Sequence, residues 1–98
     1  MVYTFKAELW LYAGDAAWHF ITIPKNISQE IKAITAGPRR GFGSVRVTVS
    51  VGAYSWKTSI FPDAKTSCYL LPVKKEARTK NDLWPGDNVQ VSFTLIDY

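Results

Sequence analysis

Cys68 and His19 are the single thiol and the single imidazole of the chain. Side by side they would form the pair that thiol catalysis needs, a nucleophile and a base to take its proton. Their settings argue otherwise. Cys68 lies between Ser67 and Tyr69 in a strand pattern, where a cysteine serves as a small buried hydrophobe. His19 alternates with Trp18 and Phe20 and therefore takes the opposite face, the outward one. One His and one Cys cannot supply a soft metal site of three or four ligands, so neither a metal nor another cofactor is expected. The carboxylates Glu8, Asp15, Glu30, Asp63, Glu76, Asp82, Asp87 and Asp97 are scattered. Asp15 and Asp87 read as turn residues whose side chains bond backbone amides. No catalytic set emerges, and the expectation is a protein that is not an enzyme.

Binding chemistry is better represented. Lys74, Lys75, Arg78 and Lys80 cluster on one short segment; Arg39 and Arg40 form a second cluster with Arg46 nearby. Two such connections could grip a phosphate backbone, or they could be a solvated basic face. In one strand, Trp56, Thr58 and Ile60 share a face while Lys57, Ser59 and Phe61 share the other. Trp56, Lys57 and Ser59 thus suit either a ligand groove or, for Trp56, the core. The run from Arg40 to Val47 begins like the first signature of RNA-recognition motifs. Its fifth and eighth positions, Ser44 and Val47, lack the aromatic rings that stack bases there. The Gly41-Phe42-Gly43 element is not a phosphate loop either, because it precedes a strand rather than a helix.

The positioning elements are mainly strands. From Tyr3 to Tyr12, the residues Tyr3, Phe5, Ala7, Leu9 and Leu11 alternate with Thr4, Lys6 and Glu8, a strand with one buried face. A second strand runs from Trp18 to Ile23 and stops at Pro24. Asn26 or Ser28 can cap a short helix over 27–35, with Ile27, Ile31 and Ile34 in one stripe. Val45, Val47, Val49 and Val51 alternate with polar residues, and after Gly52-Ala53 the strand Tyr54–Phe61 returns and ends at Pro62. Residues 67–73 form another strand, 74–81 a polar helix and 89–95 the last strand. Such one-sided strands belong to antiparallel sheets. So many in 98 residues favour a closed or half-closed barrel of six or seven strands with two short helices, which removes exposed edges, as a single domain over 1–98.

Composition sets bounds on partners. Twelve Lys and Arg against eight Asp and Glu give +4, and 14% of residues are aromatic. Such a surface admits anionic partners. The lone cysteine permits no internal disulfide. No signal peptide and no apolar run long enough to span a bilayer is visible, so the expected place is the cytoplasm, without membrane association.

Two segments share an order of strand, proline, basic residue, short helix and strand. They begin Phe20-Ile21-Thr22-Ile23-Pro24-Lys25 and Tyr69-Leu70-Leu71-Pro72-Val73-Lys74. The second, continued by Leu83-Trp84-Pro85-Gly86-Asp87-Asn88-Val89, resembles the half-barrel of AbrB-type regulators and MazE-type antitoxins. That resemblance implies a double-split barrel whose two halves here lie in one chain, closing as a monomer or weak dimer, and a DNA-binding role. Over nearly the whole chain, Phe5-x-Ala-x-Leu-Trp, Trp18-x-Phe-x-x-Ile-Pro, Gly41-Phe-Gly-Ser-Val, Trp56-Lys-Thr-Ser-Ile-Phe-Pro, Tyr69-Leu-Leu-Pro-Val-Lys-Lys-Glu-Ala-Arg and Gly86-Asp-x-Val are similar to the domain-of-unknown-function 1905 family. This resemblance implies a bacterial β-barrel and brings no activity with it. The expected function is a non-catalytic binding module for a protein or a small anionic ligand. The alternative is a nucleic-acid-binding domain. Candidate binding residues are Arg39, Arg40, Arg46, Trp56, Lys57, Ser59, Lys74, Lys75 and Arg78.

Overall fold

A computed structural model describes residues 1–14, 17–37 and 43–98. In chain order they form β1 (Tyr3–Leu11), β2 (His19–Thr22), α1 (Lys25–Ile34), β3 (Val45–Val51), β4 (Tyr54–Asp63), β5 (Cys68–Pro72), α2 (Lys75–Asn81) and β6 (Asn88–Leu95). The alternation that marks these segments as strands is realised residue by residue: Tyr3, Phe5 and Leu9 of β1 are buried and Thr4, Lys6 and Glu8 are not. Every neighbouring pair is antiparallel, and the sheet closes in the order β1-β2-β5-β4-β3-β6. Six strands therefore make the barrel, the lower of the two expected numbers. Closure gives every strand two neighbours, and β1 and β4 each pass from one partner to the other along their length, β1 from β6 to β2 and β4 from β3 to β5.

The inward side chains fill the barrel. Phe93 stacks on Tyr3 at 5.2 Å and meets Phe5 edge-on at 6.1 Å, and the valines of β3 interleave with Ile21, Ile60 and Leu71. Trp56 is only 7% exposed and belongs to this core. Tyr3 is buried as well, and its hydroxyl has no hydrogen-bond partner among the described residues. Burial first, and the Glu30 carboxylate second, push its pKa above the usual phenol value.

The two halves are related by a shift of 50 residues around β2–α1 and β5–α2. Ile23 N–H donates to Tyr69 O, and Val73 N–H donates to His19 O, both at 2.9 Å. Ser28 Oγ donates to Ile23 O at 3.0 Å, and Arg78 Nε donates to Val73 O at 3.2 Å. Each helix is thus tied by its fourth residue to the carbonyl of the residue just after the preceding strand. The same pairing of β2 with β5 closes both halves into one ring.

Three local expectations are corrected. The α1 helix starts at Lys25 with Pro24 as its cap residue and no side-chain cap bond; Ser28 lies inside it, buried, with its hydroxyl turned to the strands. The fixed φ of proline suits that position at the helix start. The β4 strand continues through Pro62 to Asp63. Pro62 stands opposite Tyr69, whose N–H bonds Ser28 and whose C=O accepts from Ile23, both on the β2 side. The Pro62 position is therefore one where β5 asks for no N–H, and proline is tolerated there. His19 is not outward-facing. It sits half-buried at the barrel mouth, with Nε2 3.4 Å from Arg78 Nη1, and it is Phe20 that points out. Among the described residues no helix is long and apolar enough to cross a membrane.

Candidate functional site

An antiparallel barrel packs one face of each strand inside and should show water a polar face outside. On one side it does: Thr4, Lys6 and Glu8 of β1, Thr48 and Ser50 of β3, and Gln90, Ser92 and Thr94 of β6 hold the non-core positions. On the other side the pattern breaks. The outward positions of β1, β2, β5 and β4 carry Trp10, Phe20, Leu70, Pro72 and Phe61. Trp10 faces Phe20 across β1–β2, Phe20 faces Pro72 across β2–β5, and Leu70 faces Phe61 across β5–β4.

Trp18, just before β2, and Tyr12, just after β1, extend the patch. The Trp18 ring lies nearly parallel to Phe20, 5.8 Å away at 12°, Trp10 lies 5.3 Å from Phe20 on its other strand neighbour, and Tyr12 meets Phe20 edge-on at 6.2 Å. The Trp10 indole is fixed by donating Nε1–H to Thr22 Oγ1 at 3.0 Å. Trp18 and Tyr12 remain about half exposed, at 50% and 52%, and Phe61 is 43% exposed. These rings line an open groove of about 860 Å³ with Leu70, Asp63 and Lys65 at its sides.

A second groove of about 360 Å³ shares Trp18 and Phe61 with the first and is bounded by Arg46, Lys57, Ser59, Pro72 and Lys74, with Trp56 reaching it from the core. Arg46 is held by a bond from Nη1 to Ser59 Oγ at 3.3 Å, across the β3–β4 ladder. Lys74 Nζ lies 5.6 Å from the centroid of the Tyr54 ring and 4.0 Å from Glu76 Oε1. The Tyr54 hydroxyl above all raises its pKa, burial opposes that rise, and the charges of Tyr54 and Glu76 add to it, so Lys74 is a cation at neutral pH.

The structure therefore gathers Arg46, Trp56, Lys57, Ser59 and Lys74 of the sequence candidates at one place. Lys75 does not line either groove, and Arg78 is turned inward to Val73 O and His19. Arg39 and Arg40 lie outside the described residues. Sequence reasoning passed over Trp10, Tyr12, Trp18, Phe20 and Leu70. The signal was present: Trp10 follows Thr4, Lys6 and Glu8 on the polar side of the alternation, where a large aromatic has no core to fill.

The two reactive side chains keep quiet partners. Cys68 is buried and its Sγ donates to Thr66 O at 3.6 Å, while His19 contacts Ala17 O and Arg78. Among the described residues no three His, Cys, Asp or Glu side chains are grouped to hold a metal.

A family model described as a domain of unknown function, DUF1905, matches residues 5–93. The chain belongs to the DUF1905 family. The matched span runs from Phe5 in β1 to Phe93 in β6 and so takes in all six strands but for the first residues of β1 and the last of β6, both grooves included. No curated protein matches the chain.

Proposed function

We propose that this DUF1905 domain is a non-catalytic binding module, and that its ligand lies across the outer face of β1, β2, β5 and β4. One observation carries the reading: aromatic side chains occupy outward strand positions and adjoin Arg46, Lys57 and Lys74. Contiguous exposed apolar surface on a small domain marks an interaction site. Flat rings next to cations suit a ligand that has a flat apolar part and a negative charge. A lone cysteine suits a reducing compartment, so the reading includes the cytoplasm.

The four tryptophans make the test direct. Trp10, Trp18 and Trp56 line the grooves; Trp84 lines neither and donates Nε1–H to Asp82. Titration with anilinonaphthalene sulfonate, a flat aromatic anion, should shift the indole N–H resonances of Trp10, Trp18 and Trp56 in a saturable way and leave that of Trp84 in place. Equal shifts in all four, or none, would refute the proposed surface.

A further inference from the structure

The two grooves are one surface, because Trp18 and Phe61 belong to both. A small aromatic anion needs one ring platform and one cation. This surface offers several: Trp18 stacked on Phe20, then Tyr12 and Phe61, with Lys65 at one end and Arg46, Lys57 and Lys74 at the other. Asp63 is the one lining carboxylate among the described residues, and its Oδ2 accepts from Thr66 Oγ1 at 2.7 Å; Glu76 stands beside Lys74. The balance is cationic.

Resting on the binding-module reading, we propose that the occupant is single-stranded nucleic acid, its bases on the exposed rings and its phosphates on Arg46, Lys57, Lys74 and Lys65. A strand of unpaired bases carries both flat rings and negative charges along its length, as this surface carries ring platforms flanked by cations at both ends. Each base has a π-face that an aromatic side chain accepts, and the backbone follows the charged rim. In a duplex those faces are stacked on one another and are not available to Trp18. An acidic peptide would satisfy the cations and leave the rings uncovered.

The test is fluorescence anisotropy with a labelled oligothymidylate of about 12 nucleotides, inside the usual range of single-strand site sizes. A duplex of equal length and an oligoglutamate peptide serve as comparisons. Contact with Arg46, Lys57, Lys74 and Lys65 gives a salt slope near −3, so affinity should fall about 50-fold between roughly 50 and 200 mM salt. Trp18→Ala should weaken binding about 10- to 100-fold, the loss of one stacked base. Lys57→Gln and Lys74→Gln should each reduce the slope by about 0.7. Both lysines and Trp18 are exposed, so these variants keep the core. Equal affinity for duplex and single strand, with Trp18→Ala neutral, would overturn the proposal in favour of plain charge attraction. Binding of the peptide without the oligonucleotide would overturn it too. If the oligonucleotide fails at low salt while the three tryptophans still respond to the aromatic anion, nucleic acid is wrong and the binding module stands. If neither probe responds, both readings fall.

Discussion

Ser28→Ala tests how the helices are fastened to the barrel. The Ser28 hydroxyl stands where the β2–β5 ladder ends. It accepts from Tyr69 N–H and donates to Ile23 C=O, both at 3.0 Å, and the residue is 1% exposed. One step earlier the ladder bond is direct, Ile23 N–H to Tyr69 O at 2.9 Å. The hydroxyl thus acts as an inserted rung. Alanine removes both bonds and leaves a buried donor and a buried acceptor, and each unsatisfied group costs about 1–3 kcal/mol. The neighbouring groove between Lys25, Gln29, Asp63 and Ser67 gives water a way to reach one of them. The expected loss is therefore about 2–4 kcal/mol, at the upper end of single substitutions that add no cavity larger than an oxygen. Urea unfolding followed by tryptophan fluorescence measures it, and hydrogen exchange at the Tyr69 amide locates it. Ser92→Ala provides the contrast. It removes an exposed hydroxyl pair with Thr4 at 3.0 Å and should cost less than about 0.5 kcal/mol. If Ser28→Ala costs no more than Ser92→Ala, or leaves Tyr69 equally protected, the inserted-rung account is wrong.

Gly52→Ala should destabilise by about 1–3 kcal/mol in the same urea assay. Gly52 has φ +60, and an added Cβ would meet the Asn81 amide oxygen, displacing the side chain that bonds Val51 O and Ala77 O. A neutral result would show that the β3–β4 turn and α2 are not coupled through Asn81. Tyr3→Phe should leave stability at pH 7 unchanged or raise it by up to about 1 kcal/mol, since it removes a buried hydroxyl without a partner. Because the folded pKa of Tyr3 lies above its unfolded value near 10, its contribution is complete below pH 10 and is lost as pH rises through the folded pKa. The wild type should accordingly lose more stability than Tyr3→Phe between pH 9 and pH 11 or so, and parallel losses would count against a buried neutral phenol.

Much of the barrel was legible in the chain. Alternation at Val45, Val47, Val49 and Val51, and at Val89, Val91 and Phe93, names the inward side chains because successive strand residues point to opposite faces. The repeated order of strand, helix and strand foretold two matched halves, and Asp87 holds its turn as expected, its Oδ2 accepting from Trp84 N–H at 2.9 Å. Helix starts were less legible. Ser28 has the chemistry of a cap, and only the packing of α1 on β5 turns its hydroxyl to a strand instead. Likewise Pro62 ends a strand by local rules, and its survival inside β4 depends on which way Tyr69 directs its backbone.

The candidate site divides in the same way. Local sequence marks Trp56, Lys57 and Ser59 as neighbours, since they share one strand. It also shows an aromatic at a solvent-side position in Trp10. What it does not carry is that Trp10, Phe20, Pro72 and Phe61, drawn from four strands, lie together, nor that Arg46 and Lys74 bound the same surface. Strand parity is a property of consecutive residues and can be read along the chain. Adjacency across a barrel is set by ring order and register, which are determined only when all inward side chains pack at once and the last edge finds its partner.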